Sequence, residues 1–395
     1  MRQTPEFRLF CLALRKPQHA ADIDALRLAL TGPERNALNW AALVEGARRH
    51  RVTDLFLEGL EAAGVADAGE DLLAALRRRN NAANRLIMVR GMLVVKLARM
   101  FSAAGIRVLI LKGLALSMQL YGDPARREPG DIDLLIDPAQ FDEVRTLMAE
   151  AGLRPKGSSL SARQRAVHHH LIKDETFVHA GTDALVELHH RLTDNPELLS
   201  TDFDALWRAR ETISIWGTPV ATLSRADLLL YLCAHGGAHA WERLRWLVDL
   251  ADAVRAMGAE AALALARDAG LAPTLLHALM LAHDWLGLPV EPRLLAEASE
   301  DPDVVQLDRI LARLYEGEAW HRIPRRDIPA ALQRDRHWQL RYRLSLKPDR
   351  RYRARQIMRE LTSPADWRTV ALPERLFFLY PLVRPIGWLF RRCRS

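Results

Sequence analysis

Asp131 and Asp133 stand two positions apart in a segment that is otherwise apolar. In a β-strand, side chains at positions i and i+2 lie on the same face, so the two carboxylates would point the same way. Two like charges held this close among Ile and Leu residues are unfavourable unless a cation neutralises them. Oxygen ligands in this arrangement suit Mg²⁺ or Mn²⁺, which in turn hold phosphates. A solvated edge strand with a polar face is the alternative interpretation of such a pair.

A third carboxylate, Glu187, lies in the apolar segment Leu185–His189. If that strand lies beside the strand of Asp131 and Asp133, three carboxylates meet at one place. Three carboxylates beside a phosphate-binding turn are what a two-cation transfer of a phosphoryl or nucleotidyl group requires.

Such a turn is predicted at Lys112 and Gly113, between a strand at 106–111 and a helix that begins at Leu114. A strand that turns into a helix presents unpaired backbone N–H groups and the positive end of the helix dipole, which favour a phosphate. Glycine lets the backbone approach the ligand closely. Lys112 and the hydroxyl of Ser117 are expected to add contacts.

The hydrophobic periodicity predicts the elements that position these residues. A long helix is expected from Asn81 to Ala104, and two strands joined around Gly181 are expected as a hairpin. The full predicted order of the core is helix 81–104, strand 106–111, helix 114–120, strand 131–137, helix 141–151, strand 169–179 and strand 184–192.

Helices are predicted on both sides of this core. After residue 201 the chain reads as helical, with helices expected at 227–239, 243–257 and 259–269. The fold class is therefore predicted as α+β, with a small mixed sheet flanked by mainly helical regions. The predicted divisions are an N-terminal helical region at 1–85, the core at 86–195, a helical domain at 196–320 and a basic segment rich in Arg and aromatic residues at 321–395.

Composition narrows the protein class. The chain has 395 residues, 49% of them hydrophobic and 27% charged, as expected of a globular protein with a sizeable core. It lacks an apolar run of the roughly 18 residues that span a bilayer and a small-residue cleavage site near the N-terminus, so we expect a cytoplasmic protein. Cys11, Cys233 and Cys393 are far apart, which favours buried, reduced thiols over disulfides.

The formal net charge is +7, and the excess of basic residues lies in the segment from about His321 onward. Arg residues interleaved with aromatic ones there are compatible with binding nucleic acid or an anionic membrane surface. The prolines of this segment prevent one long amphipathic helix, so a cationic packing segment is favoured over both.

His235 and His239 lie four residues apart on a predicted helix and therefore share a face. Together with Arg245 they are expected to line the acceptor or nucleotide pocket, while ordinary helix packing explains them equally well. A zinc hydrolase motif would need Glu where Gly236 stands, so a zinc site is disfavoured. His189 is placed to orient a carboxylate or to bind phosphate.

Several of these segments together resemble the polymerase-β-like nucleotidyltransferase superfamily, whose pattern is a glycine turn, a strand with two aspartates and a later acidic strand. The closer resemblance is to the bacterial family described as uncharacterised nucleotidyltransferases. It rests on the segments 111–116, 127–136, 186–189, 235–241, 244–249, 378–380 and 384–385, and it is most specific between residues 109 and 137.

The resemblance implies that Asp131 and Asp133 ligate both cations and that Glu187 completes the second site. Gly113 would line the triphosphate, and Arg127 occupies a position where related families place a triphosphate-binding arginine. In the superfamily the glycine is usually followed by Ser or Gly, whereas Leu114 follows it here, so the γ-phosphate would be held differently.

The implied activity is transfer of a nucleoside monophosphate from an NTP, with ATP favoured, to a hydroxyl or amine acceptor, with Mg²⁺ or Mn²⁺ as the cofactor. A peptide or sugar acceptor is favoured. Two alternatives stay open: a catalytically inactive binding or scaffold protein with the same fold, and a transferase that acts on nucleic-acid ends.

Overall fold

A five-stranded mixed sheet forms the centre of the chain in this computed structural model, which describes residues 4–16, 18–64, 70–128, 130–157, 162–315, 338–361, 376 and 379. The strand order is β1-β2-β5-β4-β3. The strands are β1 (Val108–Ile110), β2 (Ile132–Ile136), β3 (Leu153–Pro155), β4 (Asp174–His179) and β5 (Leu185–His189).

The pairing of β2 with β5 decides the position of the carboxylates. These two strands are parallel, and Asp133 lies directly opposite Glu187 in the register. β1 pairs antiparallel on the other side of β2, and β4 pairs antiparallel with β5 as the expected hairpin. Every residue of β2 is buried, because the strand lies inside the sheet and is covered on both faces.

Helices α1 to α5 precede the sheet. The 34-residue helix α5 packs on the sheet through apolar side chains such as Leu97 and Phe101. It runs without a break across residue 85, where the sequence predicts a division. The five helices are α1 (Pro5–Leu14), α2 (Ala20–Thr31), α3 (Trp40–His50), α4 (Thr53–Ala62) and α5 (Glu70–Ala103).

Three helices lie between the strands: α6 (Leu114–Tyr121), α7 (Phe141–Glu150) and α8 (Ala162–Leu171). The strand predicted over 169–179 is wrong in its first part, because His169 and His170 belong to the end of α8. The amide of Ile172 still donates to the carbonyl of His168 in a helical turn. The strand begins only at Asp174, after the amide of Lys173 has bonded the Asp194 carboxylate.

The region after residue 201 is not helical throughout, contrary to the prediction. Helix α9 (Phe203–Ala209) is followed by the hairpin of β6 (Glu211–Ile215) and β7 (Thr218–Thr222). Trp216 and Gly217 form its two-residue turn, and both have positive φ, as hairpin turns of this length require. The Thr222 hydroxyl donates to a β1 carbonyl, so the hairpin covers that edge of the main sheet.

The remaining helices share one apolar core with the N-terminal helices. Phe7 of α1, for example, packs edge-on against Trp285 at 5.2 Å between ring centroids. The three helices predicted between residues 227 and 269 are confirmed. The elements of this region are α10 (Arg225–Ala238), α11 (Leu244–Met257), α12 (Ala259–Asp268), α13 (Ala272–Leu286), α14 (Pro292–Glu300), α15 (Pro302–Leu314), α16 (Trp338–Leu344) and α17 (Arg350–Glu360).

The α+β class with helical flanks is thus confirmed. Cys11 and Cys233 are buried and free, as expected, whereas Cys393 and the segment beyond residue 379 lie outside the described residues. In the described part of the chain, none of the helices has the length and apolar character needed to cross a bilayer.

A buried ion cluster ties α11 to the segment that leads into β2. Asp249 accepts from Arg127 at 3.0 Å through one oxygen and from Arg245 at 2.9 Å through the other. Arg245 also donates to the Arg126 carbonyl at 2.8 Å. Asp249 is fully buried, and its negative charge therefore holds two guanidinium groups that have little contact with water.

Replacing Asp249 with Asn should lower the free energy of unfolding by about 3–5 kcal/mol, because breaking a buried ion pair leaves uncompensated charge inside the protein. Urea denaturation measures this change. The matched control is Glu297→Gln, which removes a surface partner of Arg267 and should cost no more than about 1 kcal/mol. Equal losses in the two variants would contradict a special role for the buried cluster.

Candidate functional site

The parallel register of β2 and β5 brings two carboxylates and one imidazole together. Asp133, Glu187 and His189 each offer a ligand atom, and these atoms all lie within 4.8 Å of one another. His189 Nε2 is 3.2 Å from Asp133 Oδ1 and 3.4 Å from Glu187 Oε2. Asp133 and His189 are buried, while Glu187 is partly open to a cavity of about 360 Å³.

Two lysines neutralise this cluster. Lys112 Nζ lies 3.0 Å from Asp133 Oδ1, and Lys173 Nζ lies 3.8 Å from Glu187 Oε2 and 3.5 Å from His189 Nδ1. Lys173 also bonds the neighbouring Asp174 at 2.5 Å. Charge balance at the carboxylates is therefore reached by the protein's own ammonium groups.

Electrostatics at the cluster favour the charged forms. Burial by itself would raise the pKa of Asp133, but the Lys112 ammonium and the His189 hydrogen bond outweigh it and hold the pKa well below its usual value. Burial would lower the pKa of Lys173, and the Asp174 carboxylate outweighs that effect, so the net change is upward. The site thus keeps ionised groups of both signs.

Asp131 lines the same cavity and directly precedes β2. It lies near the guanidinium groups of Arg51 and Arg90, whose pKa values fall through burial and are raised in part by the Asp131 charge. Arg90 donates to the carbonyl of Gly130 at 2.7 Å. Asp131 therefore stands at the cationic side of the cavity, next to the Asp133 cluster and not inside it.

The predicted turn before α6 is present. Gly113 has φ +65° and ψ −125°, a backbone conformation that side chains with a Cβ rarely adopt. Lys112, directly before it, reaches the cavity, whereas the Ser117 hydroxyl is buried and donates to the carbonyl of Asp123 at 2.6 Å. Ser117 thus closes the loop after its own helix.

The arginines expected at the site occupy different depths. Arg127 lines the cavity while its Nε is bonded to Asp249, so its orientation is fixed from behind. Arg245 belongs to the buried layer behind Arg127, where it holds the other oxygen of Asp249. Within the described residues, Arg127 and Arg245 therefore form one unit, with only Arg127 at the cavity surface.

An aromatic wall faces the carboxylates across the cavity. His235, His239 and Trp246 are in mutual contact, with ring centroids 4.7–5.1 Å apart, and Arg243 stacks over Trp246. Burial and the nearby Lys112 charge lower the pKa of His235 far below its ordinary value, so that ring is neutral. The sequence indicated the two histidines but not Trp246.

Several other lining residues were not identified from the sequence. Arg51, Lys173 and Asp174 come from α3's end and the start of β4, far from the aspartate motif in the chain. The sequence signal that could have identified Lys173 and Asp174 is that they form an adjacent pair of opposite charges at the start of a strand. Nothing in the sequence around Arg51 distinguishes it from its neighbours Arg48 and Arg49.

Comparison with known proteins identifies the family of this chain. A model of the family described as uncharacterised nucleotidyltransferase matches residues 36–287. The chain belongs to this family. The matched residues include the whole five-stranded sheet, the glycine turn and the aromatic wall.

One solved structure is also similar. The crystal structure of an antigenic nucleotidyltransferase-like protein from Paracoccidioides brasiliensis has 17% sequence identity and a TM-score of 0.28, over 51% of this chain and 93% of that one. No curated protein is significantly similar in sequence.

The donor set of this site fits a divalent cation, because two carboxylates and an imidazole converge on one point. The ammonium groups of Lys112 and Lys173 compete for the same oxygens. We expect that Lys112→Met and Lys173→Met each raise the affinity for free Mn²⁺ roughly tenfold or more, because the cation no longer has to displace an ammonium group. A tenfold change corresponds to about 1.4 kcal/mol of binding free energy.

Titration of the nucleotide-free protein followed by electron paramagnetic resonance measures this affinity. Lys156→Met, at an exposed position away from the cavity, is the matched control and should leave it unchanged. If neither cavity variant binds Mn²⁺ more tightly than the control, the lysines do not compete with a cation.

Proposed function

We propose that this chain transfers a nucleoside monophosphate from a nucleoside triphosphate to an acceptor hydroxyl or amine, with Mg²⁺ or Mn²⁺ held by Asp133 and Glu187. Asp131, which lines the same cavity outside their cluster, is proposed as a further ligand. The observation that carries the proposal is the pairing of Asp133 with Glu187 on adjacent parallel strands, beside His189 and inside a cavity of about 360 Å³. That volume falls within the roughly 300–1,000 Å³ of small-molecule sites.

In the proposed reaction, the acceptor oxygen or nitrogen forms a bond to the α-phosphorus. The bond from that phosphorus to the oxygen bridging to the β-phosphate breaks, pyrophosphate leaves with the electron pair, and the acceptor proton passes to solvent. When bound, a divalent cation supplies the positive charge that activates the acceptor and steadies the leaving pyrophosphate.

The chain's own cations are suited to hold the triphosphate. Lys112 lies next to the backbone turn at Gly113, and Arg127 is oriented by Asp249. Lys112 has a flexible stem, so its ammonium group can turn from Asp133 to a phosphate oxygen when a cation takes its place. His189, held between Asp133 and Glu187, keeps the two carboxylates in a fixed relation.

The nucleobase is proposed to stack at the aromatic wall. His239 is the most exposed residue there, and Trp246, which is mostly buried, and Arg243 lie beside it. Stacking on aromatic rings tolerates any base, because every base has a π-face. ATP is the favoured substrate, and this wall by itself provides little discrimination among nucleotides.

A second candidate function is binding without catalysis. It is favoured by one observation: Lys112 and Lys173 already neutralise the carboxylates, so buried charge at this site is stable without a cation. A thermal shift series with Mg²⁺ and each NTP separates the two. If no NTP shifts the melting temperature, the chain does not bind these nucleotides, and the alternative of a catalytically inactive scaffold protein is supported.

Asp133→Asn and Glu187→Gln should each reduce NTP turnover by more than roughly 100-fold. Loss of a residue that only hydrogen-bonds a metal ligand costs up to about 100-fold, and loss of a ligand itself should cost more. Pyrophosphate release measures this turnover. Asp137→Asn is the matched control, because Asp137 ends the same strand but pairs with Arg107 away from the cavity. Turnover that survives in both cavity variants would overturn the assignment.

Mass spectrometry tests the reaction class directly. Candidate peptide and sugar acceptors are incubated with each NTP, and the proposed activity adds one nucleoside monophosphate to the acceptor. An added phosphate alone, with loss of a nucleoside diphosphate, would instead identify a kinase-type transfer.

A further inference from the structure

A second, smaller cavity joins the first. It has a volume of about 80 Å³ and shares four lining residues with the larger cavity: Lys173, Asp194, His235 and His239. This volume is far below the roughly 300 Å³ at the lower end of small-molecule sites, so it is a side arm that holds part of a ligand. Its inner end lies at Lys173, which is next to Glu187.

The outer walls of the side arm come from the C-terminal helices. Arg343 of α16 and Arg359 of α17 line it together with Tyr352 and Gln356. These helices lie beyond residue 287, where the family match ends. The catalytic cavity is thus built from the family's common region, whereas the side arm is completed by a part of this chain outside it.

The charge of the side arm is mainly positive. Among its described lining residues, Lys173, Arg343 and Arg359 face one carboxylate, that of Asp194. Arg359 lies 3.3 Å from Asp194, and Arg343 pairs with Glu360 at 2.5 Å.

More cations surround the arm. Burial, together with the charges of Arg359 and Arg355, lowers the pKa of Arg191 to about 10. Asp194 offsets part of the repulsion among these guanidinium groups, since it lies 3.3 Å from Arg359, and an anion in the arm beside Arg343 and Arg359 would add to that offset.

We propose that the side arm binds an anionic group, a phosphate or a carboxylate, of the acceptor that receives the nucleoside monophosphate. This inference rests on the proposed function. The acceptor would lie with its anionic group between Arg343 and Arg359 and its reacting hydroxyl or amine past Lys173, in the larger cavity. Of the five arginines that α17 carries between residues 350 and 359, Arg359 is the one that lines the arm and would serve substrate recognition.

Isothermal titration of inorganic phosphate and of acetate into the full chain tests this inference. The chain is first saturated with Mg²⁺ and a non-hydrolysable NTP analogue, so that the triphosphate position is filled. We expect at least one of the two anions to bind, and Arg343→Gln and Arg359→Gln each to weaken that binding at least fivefold. Preference for phosphate or for acetate identifies the source of the anionic group.

Arg351→Gln is the matched control, since it removes the same charge from an exposed position of α17 outside the arm and should change the affinity less than twofold. Arg343→Lys should restore most of the affinity lost in Arg343→Gln, which separates lost charge from lost structure. The inference is overturned if neither anion binds the nucleotide-loaded chain, or if all variants bind equally.

Failure of the proposed function has a different signature. In that case the NTP analogue itself does not bind, which a thermal shift measured before the anion titration reveals. Binding of the analogue without binding of either anion rejects the side-arm proposal alone.

Discussion

The pairing of β2 with β5 imposes the constraint around which the rest of the structure is arranged. Parallel register places Asp133 opposite Glu187, so two carboxylates stand side by side on two inner strands of the sheet. Charges in that position are costly unless positive groups lie within a few ångströms. Lys112 beside Asp133 and Lys173 beside Glu187 meet this requirement from two different elements, and His189 lies within 3.4 Å of both carboxylates.

The compensation by lysine has a consequence for the reaction. When a cation and phosphates enter together, the flexible ammonium groups of Lys112 and Lys173 can move from the carboxylates to the phosphates while the total charge of the cavity changes little. Phosphates bring negative charge for the released lysines, and the cation brings positive charge for the carboxylates. Under the proposed function, nucleotide and cation are expected to enter as one complex, and the lysines that neutralise the carboxylates would become ligands of the triphosphate.

The sequence predicts those parts of the site in which the functional residue lies within a helix, strand or turn that has a recognisable local pattern. The glycine turn, the strand with two aspartates and the strand of Glu187 each have a local signature, and their elements are present. Which strands pair, and in which register, was inferred only conditionally, because pairing depends on contacts between segments 54 residues apart.

The strand boundary that was predicted incorrectly and the cavity residues that the sequence did not indicate also have physical explanations. The histidines before Ile172 have no clear helical or strand periodicity, so the strand was begun too early. Arg51 and Lys173 reach the cavity only through tertiary packing, and a sequence pattern contains no signal for such an approach. Arg245, which the sequence analysis groups with His235 and His239, is directed by its position on α11 toward Asp249 in the layer behind Arg127.

The buried layer of Asp249 and Arg245 behind Arg127 explains how the helical region contributes to the site without carrying a catalytic motif. Asp249 binds Arg127 and Arg245 together, and Arg245 bonds the carbonyl of Arg126, so α11 is held against the segment that enters β2. The same helix carries Trp246 into the cavity wall. One buried carboxylate therefore sets the distance between the proposed phosphate side and the proposed base side. Since neither side can shift without breaking a buried ion pair, this pair stabilises the width of the cavity, and under the side-arm proposal α16 and α17 would accommodate differences in acceptor.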